Sequence, residues 1–251
     1  MTYCVAISVS AGMVFCSDSR TNAGVDQIST YSKMFRFELG PERQFVILTA
    51  GNLATTQSTM AQLKKDLRQQ SQVNLNTVMS IGDAADYLGE VSKQVQDRHG
   101  LGGQGGFQAS FILGGQIAGS EHRIVLIYPE GNHITSSKDT PYLQIGESKY
   151  GKPILDRILN PDTPLETCAL CALVSMDSTM RSNLSVGPPI ELQLYNTNSF
   201  QLQPYYRLEE GSDYLREVKR AWDTRLKEAF NQMPPLATTV QPSSPPPDMQ
   251  Y

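Results

Sequence analysis

The chain has 251 residues, 39% hydrophobic and 18% charged, an ordinary balance for a globular protein that buries a sizeable core. A formal net charge of −4, with scattered Lys and Arg, gives no reason to expect a nucleic-acid partner. The apolar start has no basic residue before it, and no apolar run approaches the ~20 residues of a membrane span, which argues against a secretory signal and a membrane protein.

Hydrophobic periodicity predicts alternating groups of strands and helices along the chain. The first predicted strands are 3–9, 13–16, 33–39 and 44–49. The inward side of the first hairpin stays open, with Val5 and Val14 in one possible set and their alternates in the other. Two helices follow at about 54–70 and 81–100, and a flexible glycine-rich loop covers 101–106.

The second half repeats this grouping. Strands are predicted at 107–114, 123–128, 142–145, 190–195 and 200–206, and helices at 149–159, after Pro164, and at 212–233. The last helix carries an apolar stripe formed by Leu215, Val218, Trp222, Leu226 and Phe230.

Grouped strands and helices favour an α+β fold. Two sheets packed face to face, with helices outside each sheet, would bury every apolar stripe, which gives a four-layer αββα sandwich. We expect one domain over 1–233, followed by a disordered tail over 234–251, where Pro, Ser and Thr are too polar to offset the ordering entropy.

Thr2 is the first candidate for chemistry. Removal of Met1 would leave a threonine with a free α-amino group, and such an amine, with a pKa of about 7.7–8, can act as a general base near neutral pH. Nucleophile and base would then belong to one residue. The start Met1-Thr2 is common, however, and has no catalytic meaning by itself.

Asp18 ends the second predicted strand and Lys33 opens the third. Strand geometry can place both beside Thr2, where Lys33 would favour the deprotonated hydroxyl and Asp18 would hold the ammonium. The plain alternative is a surface salt bridge worth about 0–1 kcal/mol.

Several motifs occur in an order that resembles proteasome β-type subunits. They are the Thr2 start, the segment 17–21 with Asp18, Lys33, the segment 48–51 leading into a helix, and the segments 109–115 and 145–148. The opening residues 1–6 and the segment 17–26 are most similar to the bacterial branch called Anbu, the ancestral β subunit. The resemblance covers the chain up to the final helix.

This resemblance implies an N-terminal-nucleophile hydrolase fold and roles for individual residues. Thr2 matches the nucleophile, Asp18 and Lys33 match the pair that tunes it, and Gly51 matches the glycine whose N–H binds the oxyanion. Thr21, Tyr31 and Thr49 match positions that line the substrate pocket.

Two departures from the family pattern concern the supporting serines. The family's active-site serine aligns with Glu147, so that Ser148 lies one residue late. In the family's Asp-x-x-Ser motif, Ser182 replaces the aspartate and Ser185 matches the serine, while Asp177 could substitute only with a shifted register.

Other signals favour simpler explanations. Cys168 and Cys171 form a C-x-x-C in an apolar helix, where buried small residues are more common than a redox or zinc site. Four cysteines in a chain of this length suggest reduced thiols and a cytoplasmic protein rather than a disulfide framework. The segment 146–151 is one residue too long for a serine-hydrolase elbow. Neither a metal nor another cofactor is expected.

The resemblance therefore implies threonine-dependent hydrolysis of peptides or unfolded proteins by a homo-oligomer built as a ring or ring-like stack. Two alternatives remain open: a non-catalytic assembly subunit with the same fold, and a hydrolase for one small amide. A serine hydrolase centred on Ser148 is a third, weaker possibility.

Overall fold

The computed structural model of the chain describes residues 1–22, 28–100 and 106–235. The strands are β1 (Tyr3–Val9), β2 (Gly12–Ser17), β3 (Arg20–Asn22), β4 (Ile28–Thr30), β5 (Met34–Glu38), β6 (Arg43–Gly51), β7 (Ala109–Ile117), β8 (Arg123–Ile127), β9 (His133–Thr135), β10 (Tyr142–Gly146), β11 (Ile190–Asn196) and β12 (Tyr205–Leu208). The helices are α1 (Leu53–Gln69), α2 (Ile81–Gly100), α3 (Lys152–Ile158), α4 (Leu165–Ser182) and α5 (Asp213–Asn231).

Two five-stranded antiparallel sheets form the centre of the molecule. The first sheet has the order β10-β1-β2-β11-β12, and the second has the order β5-β6-β7-β8-β9. Strands β3 and β4 form a separate two-stranded ribbon. Helices α1 and α2 pack on the second sheet, while α3 and α4 pack on the first. The predicted α+β fold with an αββα layer order is therefore confirmed.

Apolar side chains fill all three spaces between the four layers. One core lies between the first sheet and its helices, a second lies between the second sheet and its helices, and a third separates the sheets. The first hairpin contributes to two of them: Val5 and Val14 face the helices, whereas Cys4 and Phe15 face the other sheet. Both sets of side chains are buried, which is why alternation in the sequence did not select an inward set.

Local side-chain bonds define the helix starts. Asn52 caps α1 by accepting a hydrogen bond from the Thr55 N–H at 3.1 Å, and Ser212 caps α5 in the same way through Leu215 N–H. Pro164 stands immediately before α4, as the sequence suggested.

Strands β3 and β4 were not predicted, and one predicted strand is mostly wrong. Both unpredicted strands have three residues, too few for a period to be recognised. The predicted strand 200–206 begins only at Tyr205, because Phe200 has a left-handed φ of 50° and Pro204 lacks an N–H for the ladder. The loop predicted at 101–106 falls almost wholly outside the described residues, as does the tail beyond Pro235.

The four layers do not bury every apolar stripe. Leu215, Val218 and Trp222 of α5 are half-buried, but Leu226 and Phe230 further along the same stripe are 52% and 75% exposed. This part of the layer prediction is wrong because α5 extends past the surface that α4 offers it. None of the described helices combines the length and apolar content needed to cross a membrane.

Replacement of Leu48 tests the core between the sheets. Its side chain is fully buried, so Leu48→Ala should lower the free energy of unfolding by about 2–5 kcal/mol. The matched control is Leu184→Ala, at a leucine that is 82% exposed, which should change it by less than about 0.5 kcal/mol. Urea unfolding measures both, and equal effects would contradict the assigned core.

Candidate active site

Backbone pairing fixes Thr2 at one end of the space between the sheets. Tyr3 pairs with Gly146 of β10, and the Thr2 carbonyl accepts a hydrogen bond from Glu147 N–H at 2.7 Å. Gly146 has a φ of +83°, and a Cβ there would lie 2.0 Å from the Thr2 carbonyl oxygen. Only glycine lets β10 approach the start of β1 this closely.

Asp18 and Lys33 form a buried ion pair behind Thr2. Lys33 Nζ lies 2.7 Å from Asp18 Oδ1, and their side chains are 8% and 0% exposed. Tyr3 N–H also donates to Oδ1 at 3.0 Å, and Gly187 N–H donates to Oδ2 at 3.3 Å. Burial raises the pKa of the Asp18 carboxyl, and the Lys33 ammonium opposes that rise. The pair is therefore unlike the exposed salt bridges that contribute little.

Lys33 is held at a second point. Its Nζ donates to the Arg20 carbonyl at 2.7 Å, just after Asp18 in the chain. Two of the three ammonium hydrogens are thus engaged by fixed acceptors, and Lys33 also lines the cavity that contains Thr2. The two acceptors therefore hold the Lys33 ammonium at the cavity and restrict its movement.

Most of the predicted site residues line one cavity of about 620 Å³. It is lined by Thr2, Thr21, Tyr31, Lys33, Thr49 and Gly51, together with Met1, Ser32, Phe35, Ala50, Leu53, Thr56, Gln57 and Gly146. Asp18 stands behind this surface and reaches it through Lys33. The cavity can therefore hold a substrate group beside the Thr2 hydroxyl.

Gly51 lies at the edge of this cavity with a constrained backbone. Its φ is +113°, and an added Cβ would lie 2.4 Å from the Gln108 carbonyl oxygen. A second cavity of about 460 Å³ shares Ala50, Gly51 and Gly146 with the first and continues towards Gln108 and Tyr128. A larger one of about 890 Å³ at the far end of β1 contains none of the predicted catalytic residues.

The predicted supporting serines lie elsewhere. Ser148 accepts a hydrogen bond from Gln144 through its carbonyl at 3.3 Å, and Ser182 is exposed at the end of α4. Ser185 is half-buried, and its N–H donates to the Asn183 side chain at 3.0 Å. None of the three serines is among the described residues that line the Thr2 cavity.

The two segments that depart from the family pattern are joined by a hydrogen bond between Glu147 and Asn183, the residue after Ser182. Asn183 Nδ2 donates to Glu147 Oε2 at 3.2 Å, so the segments that carry these departures do meet, through an amide and a carboxylate. Asp177 does not substitute, because it lies on the part of α4 that faces Lys219 and Arg181, and burial raises its pKa there.

Sequence reasoning missed Glu191, a carboxylate that is only 4% exposed. It accepts hydrogen bonds from Ser19 and Ser32, the neighbours in sequence of Asp18 and Lys33. The available signal was weak: Glu191 lies between Ile190 and Leu192, but Gln193 is also polar, so the segment alternates as a half-exposed strand would.

The C-x-x-C segment has no redox features. All four cysteines are free and buried, and burial raises the pKa of Cys168 to about 11 and that of Cys171 to about 12. Thiols with raised pKa values are poor nucleophiles. Their interpretation as small buried side chains is confirmed.

The fold and the site together define a class of protein, and comparisons with known proteins agree. The family model for proteasome subunits matches residues 2–193. The chain therefore belongs to the proteasome subunit family.

Within that family the chain is similar to Anbu proteins. It is 48% identical to Anbu (ancestral beta-subunit) from Yersinia bercovieri, with a TM-score of 0.89 over 94% of this chain and 99% of that one. It is 46% identical to the chain in the helical assembly of the Anbu complex from Pseudomonas aeruginosa, with a TM-score of 0.90 over 95% and 100%. An Anbu (Gly-1) mutant from Hyphomicrobium sp. strain MC1 is 42% identical, with a TM-score of 0.88 over 94% and 99%. Among curated proteins, none matches.

Removal of one partner tests the ion pair. Lys33→Met leaves the Asp18 carboxylate buried without its cation, and should lower the free energy of unfolding by about 3–5 kcal/mol. In the double variant with Asp18→Asn, the cost should be smaller than the sum of the two single costs. Denaturant unfolding of the four proteins measures the coupling, and additive costs would show that the two groups do not interact.

The stability of the Lys33→Met variant should depend on pH. Without Lys33, the folded-state pKa of Asp18 rises further above its unfolded value of about 3.9. A raised folded-state pKa gives a contribution that is fully present below the unfolded pKa and is lost as pH rises through the folded pKa. The free energy of unfolding that Lys33→Met loses relative to wild type should therefore grow from acidic to neutral pH. A loss that does not depend on pH would contradict the pairing of Lys33 with a buried Asp18 carboxylate.

Proposed function

We propose that this protein is a threonine-dependent hydrolase of peptide bonds, with Thr2 as the nucleophile after removal of Met1. The observation that carries the proposal is the buried Asp18–Lys33 ion pair, whose ammonium borders the cavity that contains Thr2. Membership of the proteasome subunit family supports the hydrolase class. Four buried free thiols support a cytoplasmic location.

The mechanism uses the chain's own groups. The Thr2 α-amine, freed from its bond to Met1, takes the proton of the hydroxyl as its oxygen attacks the scissile carbonyl. Lys33 stabilises the negative charge on that oxygen, and Asp18 fixes Lys33. The Gly51 N–H donates to the oxyanion, an interaction worth ~3 kcal/mol in the transition state. The amine returns the proton to the leaving nitrogen, and water then releases the acyl group.

The lining of the cavity favours a neutral substrate group beside the scissile bond. Tyr31 and Thr49 meet Phe35 and Leu53 there, so that apolar surface surrounds a few hydroxyls. A peptide with an uncharged residue at this position fits such a surface. A small amide would fit the same cavity, so a hydrolase dedicated to one such amide is a more specific version of the proposal.

A non-catalytic assembly subunit is the second candidate. One observation favours it: Glu147 stands where the resembling family has its active-site serine, Ser182 stands where the family has an aspartate, and Glu147 is hydrogen-bonded instead to Asn183. A changed network next to the Thr2 carbonyl would alter how the amine is held once Met1 is gone. The two candidates differ in whether Thr2 reacts.

Labelling with a peptide β-lactone separates these candidates. The wild-type hydroxyl should open the lactone and form an ester, and Thr2→Ser should still react because it keeps both hydroxyl and amine. Thr2→Val has the same shape without the hydroxyl and should not react. The site of modification and the native N-terminus are read by mass spectrometry.

Three outcomes would count against the catalytic reading. Retention of Met1 in the native protein removes the amine base, and labelling of Thr2→Val excludes Thr2 as the nucleophile. Labelling lost in Ser148→Ala but kept in Thr2→Val would indicate a serine hydrolase instead.

We also propose that the protein works as a homo-oligomer, as a ring or ring-like stack. The Pseudomonas aeruginosa relative is described as a helical assembly. In this chain, Leu226 and Phe230 at the end of α5 and Met233 just after it place exposed apolar surface together, and such surface marks a protein contact.

A charge on this surface should weaken self-association. Leu226→Glu and Phe230→Glu place a carboxylate in the apolar contact, and we expect the average mass in multi-angle light scattering to fall towards that of smaller species. Thr224→Glu adds the same charge at an exposed position on another side of α5 and should leave the mass unchanged. Equal behaviour of the three variants would exclude this part of α5 as the contact.

A further inference from the structure

Glu191 is a carboxylate inside the space between the two sheets. It lies on β11, where its neighbours Ile190 and Leu192 face the helices and Glu191 faces the other way. Only 4% of the residue is exposed. Its cross-strand neighbour on β2 is Ser17, immediately before Asp18. The catalytic end of the interior therefore contains a second buried carboxylate.

Three hydroxyl groups surround this carboxylate. Ser32 Oγ donates to Oε2 at 2.7 Å, with the Met34 carbonyl as a competing acceptor at 2.9 Å. Ser19 Oγ donates to the same oxygen at 3.3 Å, and Tyr205 OH donates to Oε1 at 2.6 Å. Burial, followed by the bond to Glu191, raises the pKa of Tyr205 to about 12, so Tyr205 keeps its proton and remains a donor. Both carboxylate oxygens are thus occupied by donors.

Stability alone does not explain a charge in this position. In the part of the chain that the structure describes, no Lys or Arg lies within ion-pair distance of Glu191, and its cross-strand neighbour Arg207 on β12 acts on it only at longer range. A buried carboxylate without a direct ion pair costs several kcal/mol relative to an apolar side chain of the same size. Such groups are found where they hold a functional arrangement.

The hydrogen bonds of Glu191 connect the two segments that carry the ion pair. Ser19 follows Asp18 and precedes Arg20, whose carbonyl accepts the second Lys33 hydrogen bond. Ser32 directly precedes Lys33. Oε2 of Glu191 therefore links the segment 18–20, which supplies both acceptors for the Lys33 ammonium, to the segment 32–33, which contains Lys33 itself.

We propose that Glu191 is a positioning residue for the Asp18–Lys33 pair, an inference that rests on the proposed threonine hydrolase. It does not touch the substrate. Its carboxylate sets the separation of the two segments and hence the place of the Lys33 ammonium at the cavity. Ser19 and Ser32 transmit this constraint.

Two variants separate the charge of Glu191 from its bridging bonds. Glu191→Gln keeps the shape but removes the charge and leaves one acceptor oxygen where there were two, and the maximal rate of Thr2 acylation by the β-lactone should fall about tenfold. Glu191→Met removes the bridge, and a fall on the order of a hundredfold is expected from a small displacement of Lys33. The lactone concentration at half-maximal rate should stay unchanged in both.

Gln193→Met is the matched control. Gln193 is fully buried two residues along the same side of β11, but among the described residues its amide bonds only the Leu194 and Pro204 carbonyls and the Arg36 side chain. Its variant should lose stability without losing acylation rate. An equal rate loss in Gln193→Met and Glu191→Met, or a loss confined to the half-maximal concentration, would overturn the proposal.

Crystal structures of the wild type and the two Glu191 variants give a readout that needs no activity. The Lys33 Nζ to Asp18 Oδ1 separation, 2.7 Å here, should exceed hydrogen-bond distance in Glu191→Met. An unchanged pair in Glu191→Met would overturn the positioning role even if acylation fell. If the wild type fails to react with the lactone, the threonine hydrolase is rejected, and the structures alone decide the role of Glu191.

Discussion

The contact between the Lys33 ammonium and the Asp18 carboxylate, 2.7 Å long and almost wholly buried, constrains the rest of the molecule. Removing both charges from water costs several kcal/mol per ion, and their attraction offsets that cost only with good geometry and further hydrogen bonds. The chain supplies those bonds from Tyr3 N–H and Gly187 N–H to Asp18, and from Lys33 to the Arg20 carbonyl. These donors and acceptors come from distant parts of the chain, so the pair depends on the folded sandwich.

The same end of the sandwich departs from the rule that interiors are apolar. Towards the far end of the first hairpin, Met13 and Phe15 fill the space between the sheets with hydrocarbon. Near Thr2, Ser17 and Glu191 occupy the equivalent side of the strands, and the Ser17 hydroxyl has no hydrogen-bond partner among the described residues. Local departures of this kind are expected where a protein gives up some stability to hold a reactive arrangement. The polar end and the candidate nucleophile coincide.

Much of the fold could be predicted from the sequence because long periodic segments dominate it. The stripes with Met60 in α1 and Leu88 in α2 face one core, as their spacing indicates. Strands of three residues carry no period, and strands buried on both faces carry no alternation, so β3 and the inward side of β1 could not be assigned. The exposed end of the α5 stripe failed for another reason: periodicity reports an apolar side but not the surface that covers it.

The candidate site was predictable only where a motif order resembled a known family. Thr2 and Lys33 could be named in this way, whereas the Asn183–Glu147 bond and the Glu191 hydroxyl contacts join residues far apart in the chain and need the fold. Their residue types gave little hint, since Glu191 lies on a strand that alternates apolar and polar residues and could have faced solvent. The partners themselves could not be read from spacing.

The two candidate functions make different demands on these groups. Backbone contacts around Gly51 and Gly146 place Thr2 in the cavity whether or not it reacts, because a side chain at either glycine would collide with neighbouring carbonyl oxygens. A subunit that served only in assembly could keep this backbone and replace the buried charges by apolar side chains, with a gain in stability. In this chain, Asp18, Lys33 and Glu191 together bring three costly charges to the end of the molecule where Thr2 lies. That cost favours the hydrolase over the scaffold. The two candidates differ in one property, which is whether Thr2 reacts once Met1 has been removed.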